Sequence, residues 1–417
     1  MAEASAKPNL LVLDAAYTFE MIRERGLDEY VTCRDLDGFF GHVWSVHPFA
    51  TLLPSGRPVT VHGDPETYEL SPRHTIIEGK AGRFGWLRRL FPLNFALSQI
   101  RLFLFLRRLI RRNDIRVIRA VDPLYLGLFG WALARRSHLP LLVFINGNNE
   151  KVRQNTGRPI YPRLLRSAKV ERAVERFVLR RADLVAALNR DNADFAIASG
   201  ADPDRTILFP VGNLLAREHF VDPAQRERDD ALFDRLGLEP GRYLLCVGRL
   251  EPVKRPQDAV HVLARAVSAG HDLKLLLAGD GQMRGELQAL AGELGVGDRL
   301  IVGGNLNQSS LAQLNAHAAC VVSPITGRAL AEAALAAVPV AAYDIDWQGD
   351  IVTTGETGEL VPFEDVEALA AATIRLVADT GEARKMGRKL RARALAMFDL
   401  ERLVQRERDA YAGLLAK

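Results

Sequence analysis

Short apolar runs of four to six residues recur along this chain, and between them apolar residues return every three or four positions. In the first half the runs at 9–13, 42–46, 115–120, 140–145, 184–187 and 206–209 read as strands, and in the second half those at 243–247, 273–278, 299–302, 320–323 and 338–343. Strands alternating with helix-period segments predict open parallel sheets covered by helices, an α/β fold with two doubly wound domains. The break is expected in the polar, charge-rich passage 211–239, dividing the chain into 1–213 and 214–395. Beyond that, within 396–417, Leu400, Leu403, Val404, Tyr411, Leu414 and Leu415 share one helical face, so a last helix is expected to pack back across the domains.

Composition adds little to this picture, and charge adds more. At 417 residues the chain can bury two full cores. No stretch reaches the roughly 18 uninterrupted apolar residues of a membrane span, and the first residues lack a secretory leader pattern, so the protein is expected in the cytoplasm. Cys33, Cys246 and Cys320 are odd in number and far apart, as buried thiols are, and suggest neither a disulfide framework nor a zinc site. The net charge of +4 conceals an asymmetry: residues 1–213 hold 31 Lys and Arg against 22 Asp and Glu, while the remainder holds 24 against 29. Ten arginines crowd into residues 81–119 against a single acid, Asp114. Phe84, Trp86, Leu90, Phe91, Leu93 and Phe95 stand among them, so this segment reads as a partly helical surface for an anionic membrane. No nucleic-acid reader motif accompanies the charge.

In doubly wound sheets ligands sit at the carboxyl ends of strands, so the loops after the predicted strands carry the candidate chemistry. Gly248 ends an apolar run, and Arg249 and Lys254 follow with four residues between them, letting two cations converge on a diphosphate without a metal. Gly327 precedes an alanine-rich helix, so the amides of Gly327, Arg328 and Ala329 can face an anion, with Thr326 beside them. Glu332 follows on that helix, a carboxylate suited to accepting two ribose hydroxyls. In the first half His47 is a candidate proton acceptor, and Asn146 and Asn148 end a strand where they can contact a sugar or acceptor. Gly279-Asp280-Gly281 reads as a tight turn, and the Asp-x-Asp pairs 35–37 and 344–346 as chance pairs without a metal. No Gly-x-Gly-x-x-Gly follows the first strand, which argues against a nicotinamide dehydrogenase.

The second half resembles the nucleotide-binding domain of glycosyltransferase family 4, whose members have the two-domain GT-B fold. The likeness is carried by Gly248-Arg-Leu-Glu-Pro-Val-Lys254, Leu277-Ala-Gly-Asp-Gly281, Ser323-Pro324 through Glu332 to Pro339, and Thr357-Gly-Glu-Leu-Val361. It covers residues 183–415; residues 1–182 match only in strand pattern. The resemblance implies that Arg249 and Lys254 hold the donor diphosphate and act in catalysis. It also implies that Glu332 binds the ribose, and that Asn305 and Leu306, in the loop 303–308, lie where main-chain groups hold the base. It further implies a retaining, metal-independent enzyme without a cofactor, taking a UDP- or GDP-linked sugar to a lipid-linked or cell-envelope glycan at the cytoplasmic membrane face. One feature departs from the family: eight positions before Glu332, where a first Glu is usual, stands Pro324. A nucleotide-sugar epimerase of the same fold and a non-catalytic membrane-associated relative are the alternatives.

Overall fold

The computed structural model describes residues 7–52, 61–210, 215–325 and 327–416. The chain forms two compact units, one made of residues 1–213 with 400–417 and the other of residues 214–399.

The first unit is built on an eight-stranded sheet: β1 Asn9–Leu13, β2 Val43–His47, β3 Glu66–Ser71, β4 His74–Glu78, β5 Ile115–Ala120, β6 Leu141–Ile145, β7 Leu184–Ala187 and β8 Thr206–Leu208, in the order β3-β4-β2-β1-β5-β6-β7-β8. All pairs are parallel except β3 with β4. Central β1 is apolar from Leu10 to Leu13 because both its faces are covered there. Leu11 and Leu13 enter one core with Leu102, Leu106 and Ile110, and Leu10 and Val12 enter the other with Tyr411 and Leu414 of the helix Leu400–Leu415. Hairpin β3-β4 was not legible in the pattern. β3 is a polar edge strand, Glu-Thr-Tyr-Glu-Leu-Ser, without a buried face, and β4 has only Ile76 and Ile77 as apolar residues.

The arginine-rich segment 81–119 folds as a short turn, Gly85–Leu87, then the helix Phe91–Arg112, then β5. Pro92 sits in the first turn, where its missing N–H costs nothing. Leu102, Leu106 and Ile110 recur at helical spacing and are buried, each contributing about 1.5–3 kcal/mol. The N-terminal part behaves differently. Asn94, itself buried, accepts the N–H groups of Arg83 and Phe84 and donates to the Phe84 carbonyl. That tie fixes a tip whose apolar side chains point outward: Trp86 is 78% exposed, Leu90 56% and Leu93 51%. Phe84 stacks on Trp86 at 5.7 Å. The helix is therefore a core element along one face and an exposed apolar surface at its start.

The second unit carries a six-stranded, wholly parallel sheet: β9 Tyr243–Val247, β10 Lys274–Ala278, β11 Leu300–Gly304, β12 Cys320–Ser323, β13 Val340–Tyr343 and β14 Glu359–Val361, in the order β11-β10-β9-β12-β13-β14. β14 is three residues long, too short for a periodic signal. Cys246 and Cys320 are core residues, and burial pushes their thiols up to about 12.

Candidate functional site

Three loops of the second unit meet at the carboxyl ends of β9, β10 and β12. Beyond β9 the chain runs through Gly248 and Arg249 into the turn Pro252–Lys254, and Pro256 opens the next helix. Loop 279–281 braces this run from below. A Cβ on Gly279 would lie 1.9 Å from the Gly248 carbonyl oxygen, and one on Gly281 2.4 Å from that of Leu250. Both glycines are thus required by backbone-to-backbone contact, closed by Leu250 N–H donating to the Asp280 carbonyl at 3.0 Å. Asp280 accepts the Gly281 N–H at 2.9 Å and acts as a turn former.

Held this way, the two cations sit in different settings. Arg249 is 61% exposed and pairs with Glu251 at 2.7 Å. Lys254 is half-buried, and its ammonium is depressed below the ordinary lysine range by burial first and by Arg249 second, with Asp346 and Glu251 opposing. Its Nζ lies 4.0 Å from the point where a Cβ on Gly327 would stand. The first cationic loop and the glycine turn, some seventy residues apart in sequence, therefore converge. Gly327 has φ 61 and ψ −120, a conformation open in practice to glycine alone, and precedes the helix Arg328–Leu335. Glu332 on that helix is 2% exposed; Arg328 Nε lies 3.1 Å from its Oε1, which takes no hydrogen bond among the described residues. Two cations, a glycine turn at a helix N-terminus and a buried carboxylate ion-paired with Arg328 form a site suited to an anionic, hydroxyl-bearing ligand.

Residues 229–393 match the family description "Glycosyl transferases group 1" and residues 26–212 "Glycosyl transferase 4-like domain". The chain belongs to glycosyltransferase family 4. A 2-deoxystreptamine glucosyltransferase of Streptomyces kanamyceticus is 31% identical over 214 residues, 50% of this chain and 54% of that protein, so the match spans about half of that relative's length. A GDP-mannose-dependent alpha-(1-6)-phosphatidylinositol monomannoside mannosyltransferase of Mycolicibacterium smegmatis is 27% identical over 88% of this chain and 89% of its own. The Anabaena protein HepE, solved with UDP and glucose, aligns over 97% of this chain and 100% of that chain at a TM-score of 0.71 and 18% identity, a likeness of GT-B fold.

The other candidates of this family 4 chain fall as follows. Asn305 and Leu306 follow β11 at the edge of the second sheet, and Asn307 caps the next helix by accepting the Ser310 N–H at 2.8 Å. Ala329 lies in the first turn of the helix behind Gly327. Thr326 lies outside the described residues. In the first unit Asn146 is exposed after β6 and donates to the Val121 carbonyl at 3.3 Å. Asn148 is spent structurally, accepting the Glu150 and Lys151 N–H groups as a helix cap.

His47, the last residue of β2, is enclosed rather than open. It is 1% exposed, neither ring nitrogen has a hydrogen-bond partner among the described residues, and it lines a small cavity with Asp14, Tyr17, Tyr30, Arg34 and Ser45. The sequence singled out His47 but not this grouping, whose members come from separate stretches of the chain. Burial would raise the Asp14 carboxyl, but the adjoining Arg34 guanidinium outweighs it and holds the group below the usual range. Burial lowers His47 to about 4 even though Asp14 opposes it. The unfolded chain takes up a proton near pH 6.5 that the folded chain refuses until about pH 4, so this residue removes stability as pH falls through that window. Asp122, raised by burial to about 6, acts in the opposite direction. His47→Gln is expected to lose about 2 kcal/mol less stability than the parent between pH 7 and 4.5. Urea titrations at the two pH values check this, and equal losses in both proteins refute it.

Proposed function

We propose that this protein transfers a sugar, with retention of anomeric configuration and without a metal, from a nucleoside diphosphate donor to a lipid-linked or envelope glycan acceptor. The observation that carries the reading is the approach of half-buried Lys254 to the Gly327 turn, with Arg249 on the same loop. That arrangement suits a diphosphate leaving group: the guanidinium fork and the ammonium offset the charge that grows as the glycosidic bond breaks. Glu332, whose Oε1 is ion-paired with Arg328 but takes no hydrogen bond among the described residues, offers its carboxylate to ribose hydroxyls, and the loop at Asn305 and Leu306 offers main-chain groups to the base. The acceptor hydroxyl then enters on the face from which the diphosphate departs and passes its proton to the departing phosphate oxygen, so no enzyme nucleophile is required. Of the three acceptor-side candidates of the first unit, Asn146 is exposed and open to an acceptor, whereas His47 is enclosed and Asn148 is engaged as a helix cap. A panel of UDP-, GDP- and ADP-sugars, read by thermal shift and by release of the free diphosphate with EDTA present, tests this. Midpoints unmoved by every nucleotide would refute the site, and release abolished by EDTA would refute metal independence.

The acceptor side of the reading is a membrane surface. No helix among the described residues is long and apolar enough to cross a bilayer. Trp86, Leu90, Phe91 and Leu93 form an exposed apolar tip bordered by Arg88 and Arg89, with Arg107, Arg108, Arg111 and Arg112 further along the helix. The tip matches the acyl boundary and the arginines match lipid phosphates, at about 1 kcal/mol per charge near an anionic surface. By name the Mycolicibacterium relative acts on a phosphatidylinositol mannoside. The protein is expected to float with phosphatidylglycerol vesicles at low salt and to be largely released at about 0.5 M salt. Trp86→Ser with Leu90→Ser is expected to reduce flotation without changing nucleotide binding. Absence of flotation at low salt would remove the membrane reading and leave the donor site untouched.

A further inference from the structure

We propose that Asp346 contacts the hydroxyls of the donor sugar, supplying the carboxylate that is absent at position 324. This rests on the nucleoside diphosphate reading of the site above.

The loop after β13 is joined to the end of β12 by one buried amide. Gln348, 2% exposed, accepts from Ser323 Oγ at 2.8 Å and donates to the carbonyls of Pro324 at 3.2 Å and Tyr343 at 2.8 Å. Loop 343–348 is thereby fixed alongside Ser323 and Pro324, where a first acid would stand. Within it Asp346 adopts φ +53, a left-handed conformation that Asp tolerates better than most residues. The chain turns there so that Asp346 faces solvent, while Trp347 is buried against Phe398 at a centroid distance of 6.1 Å. Asp346 also acts electrostatically on the Lys254 ammonium, which itself approaches Gly327. One carboxylate is thus carried on a loop tied to position 324, within electrostatic range of Lys254.

The chemistry of the ligand makes this useful. A sugar leaves from the distal phosphate, so a group near the phosphate-binding cation is in reach of that sugar's hydroxyls. A carboxylate accepts from two neighbouring hydroxyls, and such charged hydrogen bonds are lost when the acid becomes an amide. The nucleotide itself gains nothing from Asp346, whose negative charge opposes a diphosphate. The assigned ligand class is therefore a nucleoside diphosphate carrying a sugar with adjacent free hydroxyls, and the residue acts on the sugar alone.

Calorimetry on the full chain separates the two parts of the ligand. UDP-glucose, UDP-galactose, UDP-N-acetylglucosamine and GDP-mannose are each titrated beside UDP or GDP, into the parent, Asp346→Asn and Asp344→Asn. Asparagine keeps the side-chain shape and the left-handed backbone, so the variant is expected to fold. For the sugar that adds most affinity in the parent, Asp346→Asn is expected to weaken the sugar nucleotide roughly ten- to a hundredfold. Affinity for the bare diphosphate should stay the same or rise, and Asp344→Asn should behave as the parent. An equal loss for sugar nucleotide and bare diphosphate, no loss in either, or the same loss in Asp344→Asn would each overturn the assignment. A parent protein that binds the diphosphates but gains no affinity from any sugar would overturn it too. A parent that binds neither UDP nor GDP would instead overturn the diphosphate site on which it stands.

Discussion

Lys254→Ala is expected to weaken UDP or GDP binding by about 1.5–3 kcal/mol, ten- to a hundredfold, with the sheet around it intact. The ammonium is half-buried and held down by burial and by Arg249, so the empty site carries two like charges whose repulsion a diphosphate relieves. Arg249→Ala is expected to fall toward the lower end of that range because Arg249 is largely exposed, though the change also leaves Glu251 without its 2.7 Å partner beside an incoming phosphate. The double variant should lose less than the sum of the single losses, since each substitution removes the repulsion suffered by the other. Lys254 loses its proton at a lower pH than an ordinary lysine, so affinity should decline on the alkaline side earlier than an exposed lysine would allow. Isothermal titration of the four proteins across pH decides the matter: unchanged affinity in both single variants would sink the site.

Arg153→Leu is expected to destabilise the first unit by about 3–5 kcal/mol. Its guanidinium is buried and meets Glu175 at 2.7 Å, Glu171 at 3.3 Å and Glu150 at 3.1 Å, and the first two acids are themselves inaccessible. Glu171 also accepts the Ile160 and Tyr161 N–H groups at 3.1 and 2.7 Å, while Asn149 donates to Glu175 at 2.7 Å. Without the arginine, two buried carboxylates keep hydrogen bonds but lose their counter-charge, and the segment following β6 loses its anchor. Arg172→Ala, at an exposed partner of Glu150, should leave stability nearly unchanged by comparison. Urea unfolding of both variants measures the contrast, and a small effect of Arg153→Leu would mean that the acids are compensated by another route.

The second-unit residues that the structure brings together were legible because their chemistry is local. A glycine after a buried strand, two cations with four residues between them and a glycine before an alanine-rich helix can each be read within a dozen positions. The approach of Lys254 to Gly327 was not read from the sequence; it is made by strand order, since β9 and β12 are neighbours in the sheet. What escaped was made by tertiary contact. Gly279 and Gly281 read as an ordinary turn, and only the opposing carbonyls of Gly248 and Leu250 reveal why neither position has room for a side chain. Gln348 carried no signal because all three of its partners lie on strand ends that sequence spacing does not connect. The enclosure of His47 depended on Arg34 and Tyr30, which belong to a stretch with no strand or helix period of its own. β3 and β4 escaped because an edge hairpin needs no apolar alternation.

The first unit is discontinuous, and this bears on the order in which the protein is made. When residue 213 has left the ribosome, one face of the first sheet, where Leu10, Val12, Phe40, Val117 and Phe144 lie, still lacks Tyr411 and Leu414. The second unit, by contrast, is a single unbroken stretch and can fold as soon as residue 399 emerges. Synthesis therefore completes the later unit while the earlier one waits with exposed apolar surface. A nascent chain halted between 213 and 399 is the form most in need of a chaperone.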